Sequence, residues 1–403
     1  MLQLTSRSLP WIRRKRQHDH ELQEADIITY KLEKVPNFRW VAKHFGKRSE
    51  VTLSSKDLVS NTLQNEISKI GQFAEVAYGA YDANLVWRYL EELSKPDFPF
   101  ELHDALRSAK LMHVLRGRYS DVQGLIALRE KEKQLVVAFS GTCNISQALH
   151  DINALRSKYS PCRKSRFGMV KVHAGFWRLY RGIRRTTLEN LQNCLQLCSE
   201  KELPIEEIVV TGHSLGGALA LLFIMDLLNE DFYSKYLAGK KLLREGWRVS
   251  LVIFGAPRVG NAAFAELYRD STARFREKHG EDQLCEYSVK AYNDGVTALP
   301  SLGLGYRHAL ISVLYLYRGC LYHTPASEYE CSKFNVAHDK DSHTDLSPQF
   351  PLGGHNYYNG RDLEKTVRRM AWIAKARKKD LDESWKERYM KEVEQEKRKL
   401  NRH

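Results

Sequence analysis

The chain has 403 residues, 63 Lys and Arg against 49 Asp and Glu, and a formal net charge of +14. That length holds one large α/β unit with extensions, or two domains, and 43% hydrophobic residues supply a substantial core. The basic balance suits nucleic acid, anionic membranes or acidic partners, but no segment resembles an RNA- or DNA-binding module, so an anionic lipid surface is the expected partner and nucleic acid is not.

Arg13 to Arg16 are followed by no apolar stretch of the kind a secretory signal carries. The longest apolar run, Ala218 to Leu228, is too short to span a bilayer. Cys194 and Cys198 stand four apart, with no second pair or histidine at metal-ligand spacing. Reduced thiols, an intracellular location (cytoplasmic, or peripheral to a membrane or lipid droplet) and no metal or cofactor are therefore expected.

Residues 1–50 are charged and without periodicity and read as an irregular N-terminal extension. Ile67, Ile70, Phe73 and Val76 stand at helical spacing and predict a helix over Leu63 to Tyr81. Gly124 to Leu128 and Gln134 to Phe139 are β-like runs joined by the charged Arg129 to Lys133, a hairpin pattern. A long amphipathic helix follows over Gly175 to Cys198, then a strand at Ile208 to Val210 and a helix to Leu228. Leu251 to Phe254, Glu286 to Tyr292 and Ile311 to Tyr317 read as strands, and Asn261 to Arg274 as a helix. Strands alternating with helices predict an α/β fold with a mostly parallel central sheet flanked by helices. From Thr366 onward Lys, Arg and Glu dominate, giving a charged helical tail over 366–403 beyond a main domain at 51–365. That tail reads as a solvated helix laid on the domain, or a helix for a membrane surface or partner.

The run Ile208 to Gly217 carries Gly212-His213-Ser214-Leu215-Gly216 between a β-branched strand and an Ala/Leu-rich helix. Strand, sharp turn and helix are the setting of a nucleophile elbow. The turn brings the positions flanking Ser214 close to other backbone, so Gly212 and Gly216 are glycine. Ser214 then lies at a helix N-terminus, where developing negative charge is favoured, and the pattern points to a covalent serine hydrolase.

Such a serine needs a histidine to take its proton and a carboxylate to orient that histidine, in chain order Ser, acid, His. Asp294 follows a predicted strand and is the carboxylate candidate. His355, in the Gly-rich loop Gly353 to Tyr358, is the histidine candidate; by order alone His308, His323, His338 and His343 compete, with His308 reading as structural. An oxyanion hole needs two N–H donors, expected from Leu215 and from Thr142 at the end of Phe139-Ser140-Gly141-Thr142.

Taken in order, these segments resemble the fungal-type class 3 lipase family. Val136 to Thr142, Val172-His173-Ala174-Gly175-Phe176, Val210 to Ala220, Phe254 to Asn261, Asp294 to Pro300, Gly305 to His308 and His355 to Tyr358 match its blocks across residues 120–360. The resemblance implies an α/β-hydrolase fold, Ser214, Asp294 and His355 as triad, and acylglycerol or phospholipid esters as substrate. A phospholipase, another esterase, or a lipase-like scaffold with little turnover are the alternatives. It also implies a lid, here over Asn144 to Tyr159, where Leu149, Ile152 and Leu155 stand at helical spacing. Beside it, the basic stretch Arg156 to Lys171 is expected to dock on anionic lipid. Three positions depart from the pattern: Ser140 replaces Arg, Ala148 replaces Trp and Thr297 replaces Pro.

Overall fold

The computed structural model describes residues 33, 37–78, 82–118, 122–141, 155–237, 242–244, 246–337, 350–377 and 384–401. Its frame is an eight-stranded sheet. The strands are β1 (Ala109–Arg116), β2 (Gln123–Arg129), β3 (Gln134–Phe139), β4 (Glu207–His213), β5 (Arg248–Phe254), β6 (Leu284–Ala291), β7 (Val313–Tyr317) and β8 (Cys320–His323). They lie side by side in chain order. β3 to β7 run parallel, while β1, β2 and β8 are antiparallel to their neighbours, so the expected mostly parallel sheet and the β2–β3 hairpin are both present.

The continuous apolar runs of β3 and β4 follow from burial on both faces. Leu135, Val137, Ile208 and Val210 enter one core with the helices Ala174–Glu200, Leu215–Leu228 and Ala262–His279. Val136, Ala138 and Val209 face a second core with the helices Asn61–Val76, Leu363–Arg377 and Trp385–Asn401. Asp226, the one acid in the apolar run, is fully buried and held by the Arg184 guanidinium, Nε to Oδ2 2.7 Å, and by the Tyr180 hydroxyl. Removing one partner of such a pair costs about 3–5 kcal/mol, because the other charge is left buried alone.

Two expectations need correcting. The N-terminal extension is not irregular throughout: Arg39–Phe45 is a helix and Arg48–Leu53 is a strand paired in parallel with Lys333–Val336. Sequence periodicity misses this strand because its partner is almost 300 residues away in the chain. The charged tail is two packed helices rather than one solvated one. Trp385, Tyr389 and Val393, spaced by four, bury one face of the last helix, and Tyr389 packs on Phe98 at 4.8 Å between ring centroids. Opposite charges finish that contact, with Arg368 and Arg369 both paired to Glu396.

Of the expected lid, residues 144–154 lie outside the described residues, Leu149 and Ile152 among them. Its far end is strand, not helix: Arg156–Lys158 pairs antiparallel with Lys171–His173, and Leu155 is exposed. Among the described residues no helix is long and apolar enough to cross a membrane.

Candidate active site

The parallel strands deliver their C-terminal residues to one edge of the sheet. Phe139 pairs with Gly212, His213 with Phe254, and Phe254 with Val289. In open parallel sheets this edge is where ligand-handling loops gather. Ser214 leaves β4 with φ 58° and ψ −126°, a strained conformation for a residue with a side chain, and caps the helix Leu215–Leu228. Its amide donates to the Phe254 carbonyl at 2.8 Å, which ties the turn to β5. The elbow glycines are required sterically: a Cβ on Gly212 would stand 2.3 Å from the Gly216 backbone, and one on Gly216 2.2 Å from the Phe139 carbonyl oxygen.

Asp294 and His355, 61 residues apart in sequence, meet with both solvent-shielded. His355 Nδ1 lies 3.0 Å from each carboxylate oxygen of Asp294. The Tyr358 hydroxyl donates to Asp294 Oδ2 at 2.6 Å, and the Val296 amide donates to Oδ1 at 2.8 Å. Burial raises the Asp294 carboxyl, but the His355 contact and these hydrogen bonds outweigh it and hold the group below the ordinary carboxylate range. With Nδ1 committed, the buried Nε2 of His355 has no hydrogen-bond partner among the described residues. It is the atom free to receive a proton; hydrogen bonds of this kind often form only with substrate in place.

Leu215 opens its helix, so its amide has no carbonyl one turn back within the helix. Thr142, the other expected donor, lies outside the described residues. The preceding Ser140, which replaces an arginine of the pattern, turns its hydroxyl onto the Gly141 carbonyl at 2.6 Å.

Of the groups around this set, His213 and Tyr78 were not singled out from sequence. His213, inside the elbow, stacks on His355 with ring centroids 4.4 Å apart. Its Nε2–H donates to the His355 carbonyl at 2.8 Å, so its Nδ1 accepts from the Tyr78 hydroxyl at 2.5 Å. Burial, then the adjacent His355, pushes the His213 imidazole down to about 3, so it stays neutral at physiological pH. Its place in the elbow was the available signal; nothing in the sequence singled out Tyr78. Arg258, from the Pro-Arg-Val-Gly-Asn block, is buried and hydrogen-bonds Glu330 and the carbonyls of Ala298 and Pro300, which fixes the loop after Asp294. Thr297, where a proline was expected, bonds the Asp294 carbonyl through its hydroxyl at 3.1 Å and accepts from His308 at 2.9 Å. Hydrogen bonds thus supply the rigidity a proline ring would have given. His308 is structural, as its position before an apolar run had implied.

The N-terminal segment clamps both loops. The Asn37 carbonyl accepts from the His355 amide at 3.1 Å, and its side-chain oxygen accepts from the Asn356 amide at 2.8 Å. Arg39 donates to the Gly353 carbonyl at 2.9 Å, and Phe38 sets its ring edge-on to His355 at 5.6 Å. On the far side of the loop, Arg361 is paired with the buried Glu75, Nε to Oε2 2.8 Å. No group of three or more His, Cys, Asp or Glu positioned to hold a metal occurs among the described residues.

A serine on a strand–turn–helix elbow at the edge of a mostly parallel sheet flanked by helices is the architecture of the α/β-hydrolase fold. Solved structures carry the same fold. Lipase II from Rhizopus niveus superimposes with a TM-score of 0.51 at 21% identity, covering 77% of this chain and 99% of that one. The lipase of Rhizopus microsporus var. chinensis gives 0.51 at 24% identity, covering 80% and 94%. Residues 136–302 match the family model for lipase (class 3). The Rhizopus niveus lipase is 34% identical over 163 residues, 40% of this chain and 36% of that protein. Secreted mono- and diacylglycerol lipase A of Penicillium camembertii is 28% identical over 189 residues, 47% of this chain and 50% of that protein. The chain therefore spans between 36% and 50% of the length of these curated relatives. His355, the N-terminal clamp and the last two helices fall outside the family segment.

Proposed function

We propose that this protein is a lipase that hydrolyses carboxylic esters of acylglycerols through Ser214, Asp294 and His355. His355 Nε2 takes the hydroxyl proton of Ser214 as Oγ attacks the ester carbonyl. Asp294 holds the imidazole through Nδ1 and stabilises its charged form. The amides of Leu215 and Thr142 hold the oxyanion, each worth about a hundred- to thousandfold in rate. The tetrahedral adduct collapses, the alcohol leaves with the proton from His355, and water, deprotonated by the same histidine, frees the fatty acid. The observation that carries this assignment is the doubly contacted Asp294–His355 pair, with a buried Nε2 left unpartnered at the edge where the elbow presents Ser214.

Support for the lipid class comes from the names of the relatives, lipases and mono- and diacylglycerol lipases. A plant relative named phospholipase A(1), 26% identical over 249 residues, supplies the second reading, a phospholipid substrate. We place the enzyme inside the cell, since the six described cysteines are free, in contrast to the Penicillium relative whose name says secreted. We draw the hydrolase unit from residue 37, because the N-terminal helix is built into the site. The hairpin around Lys164–Ser165 and Gly168–Met169, with exposed Phe167 and Met169, is assigned to peripheral contact with a lipid surface.

Hydrolysis of tri-, di- and monoacylglycerols and phospholipids, run beside Ser214→Ala, tests the assignment. Acylglycerol turnover and fluorophosphonate labelling should both vanish in the variant while its unfolding midpoint stays in place. Residual hydrolysis by a folded Ser214→Ala protein would overturn it.

A further inference from the structure

The Asp294 loop borders a cleft that ester hydrolysis does not use. Its volume is about 560 Å³, and Asn293, next to Asp294, forms part of its wall. Arg39 and Lys43 of the N-terminal helix, Arg48 of the following strand and Lys333 of that strand's partner bring four cations to its lining. No Asp or Glu among the described residues lines it.

Arg39 is neutralised by Glu33, but Lys43, Arg48 and Lys333 have no carboxylate partner among the described residues. Their contacts are to neutral oxygens. Lys333 Nζ donates to the Lys43 carbonyl at 2.8 Å, and an Arg48 guanidinium nitrogen donates to Asn335 Oδ1 at 2.9 Å. Arg48 and Lys333 are register partners on parallel strands, so their positive charges are held together by the backbone. Burial, then the adjacent Arg48, holds the Lys333 ammonium below the ordinary lysine range. Like charges fixed side by side with no counter-ion are relieved by an anion of matching size. One guanidinium and two ammonium groups suit a phosphate monoester, with its near-double charge and three accepting oxygens, better than a carboxylate.

The same helix supplies an argument about where that phosphate comes from. Trp40 is 66% exposed and Phe45 50% exposed, with their rings 6.2 Å apart. Large aromatic side chains beside cations are what seats a protein at the headgroup level of a bilayer. We propose that this cleft docks the enzyme on a lipid-borne phosphate monoester, with Lys43, Arg48 and Lys333 on the phosphoryl group and Trp40 and Phe45 in the interface. The site is separate from hydrolysis, so it can be read without turnover.

The test uses the full chain carrying Ser214→Ala, co-sedimented with phosphatidylcholine vesicles with and without phosphatidate, at low and high salt. Phosphatidate should increase binding, and salt should weaken it. Arg48→Gln with Lys333→Gln should lower partitioning about twenty-fivefold, taking about fivefold per cation near an anionic surface. Their unfolding midpoint should match the parent; if it falls, Lys43→Gln, on an exposed side chain, carries the measurement and should cost about fivefold. Trp40→Ala should weaken binding at every salt concentration. Unchanged partitioning in the folded cleft variants would overturn the proposal. So would a loss confined to Arg163→Gln with Lys164→Gln, which would assign docking to the hairpin alone. Inorganic phosphate that binds the cleft without competing with vesicles would make it a free-anion site and overturn lipid docking.

Discussion

Ser214 and His355, two residues of the proposed site, are positioned in opposite ways. Ser214 is set by its own neighbourhood: a buried strand, two glycines whose Cβ atoms would strike backbone, and a helix buried from Leu215 to Leu227. His355 sits on a loop with only a two-residue strand after it, and its hold comes from elsewhere. Asn37 and Arg39 grip the loop from more than 300 residues upstream, and Arg361 ties its far side to Glu75. The candidate nucleophile is thus a local property of the chain, whereas the candidate base is held by tertiary contacts. The two halves should therefore fail differently when perturbed.

The largest effect after loss of Ser214 itself belongs to the link between base and acid. Asp294→Asn leaves shape and volume nearly intact but loses the acceptor that fixes the His355 tautomer. Its kcat should fall about 10⁴-fold with the unfolding midpoint little changed. A decrease below tenfold in steady-state turnover would mean that another carboxylate orients His355.

A smaller effect should separate the clamp from the elbow. Asn37→Ala orphans the Asn356 amide and loosens the histidine loop, at a cost of about 1–3 kcal/mol to stability. Because the elbow is untouched, kcat should fall while KM for a soluble short-chain ester holds steady. Asn37→Asp, which keeps the accepting oxygen, should recover much of the loss. Equal kcat in wild type and Asn37→Ala would show that the loop positions His355 without the N-terminal segment.

The smallest effect concerns the far side of the loop. Glu75 is raised by burial, but Arg361 and His103 outweigh this and bring it from 4.5 to about 2. A carboxylate depressed by folding stabilises the native state above its unfolded pKa, and that contribution is lost as pH falls from about 4.5 toward about 2. Denaturant unfolding across this window should show stability dropping with pH by up to one bound proton. Glu75→Gln should flatten that slope. If the slope survives the substitution, other carboxylates carry the acid response.

Much of the sheet was legible, because its signals are local. The charged Arg129 to Lys133 between two apolar runs announces the hairpin, and unbroken β-branched runs announce strands buried on both faces. The candidate site was half legible. Ser214 and its glycines stand out unaided, but order alone left five histidines open, and the family resemblance had to choose His355. Tyr358 lay inside the matched block without a role. Trp385, Tyr389 and Val393 carried a readable spacing that the surrounding charge concealed.

By itself, the sequence determined the elbow, the alternation of strand and helix, and the candidate nucleophile Ser214 with its glycines. These depend on steric and periodic rules that act within a few residues. Tertiary structure alone decided that Asp294 and His355 meet, that His213 stacks beneath His355, and that residues 37–48 hold the histidine loop while carrying a cationic cleft. Those depend on contacts between positions distant in the chain, where no local pattern records the partner.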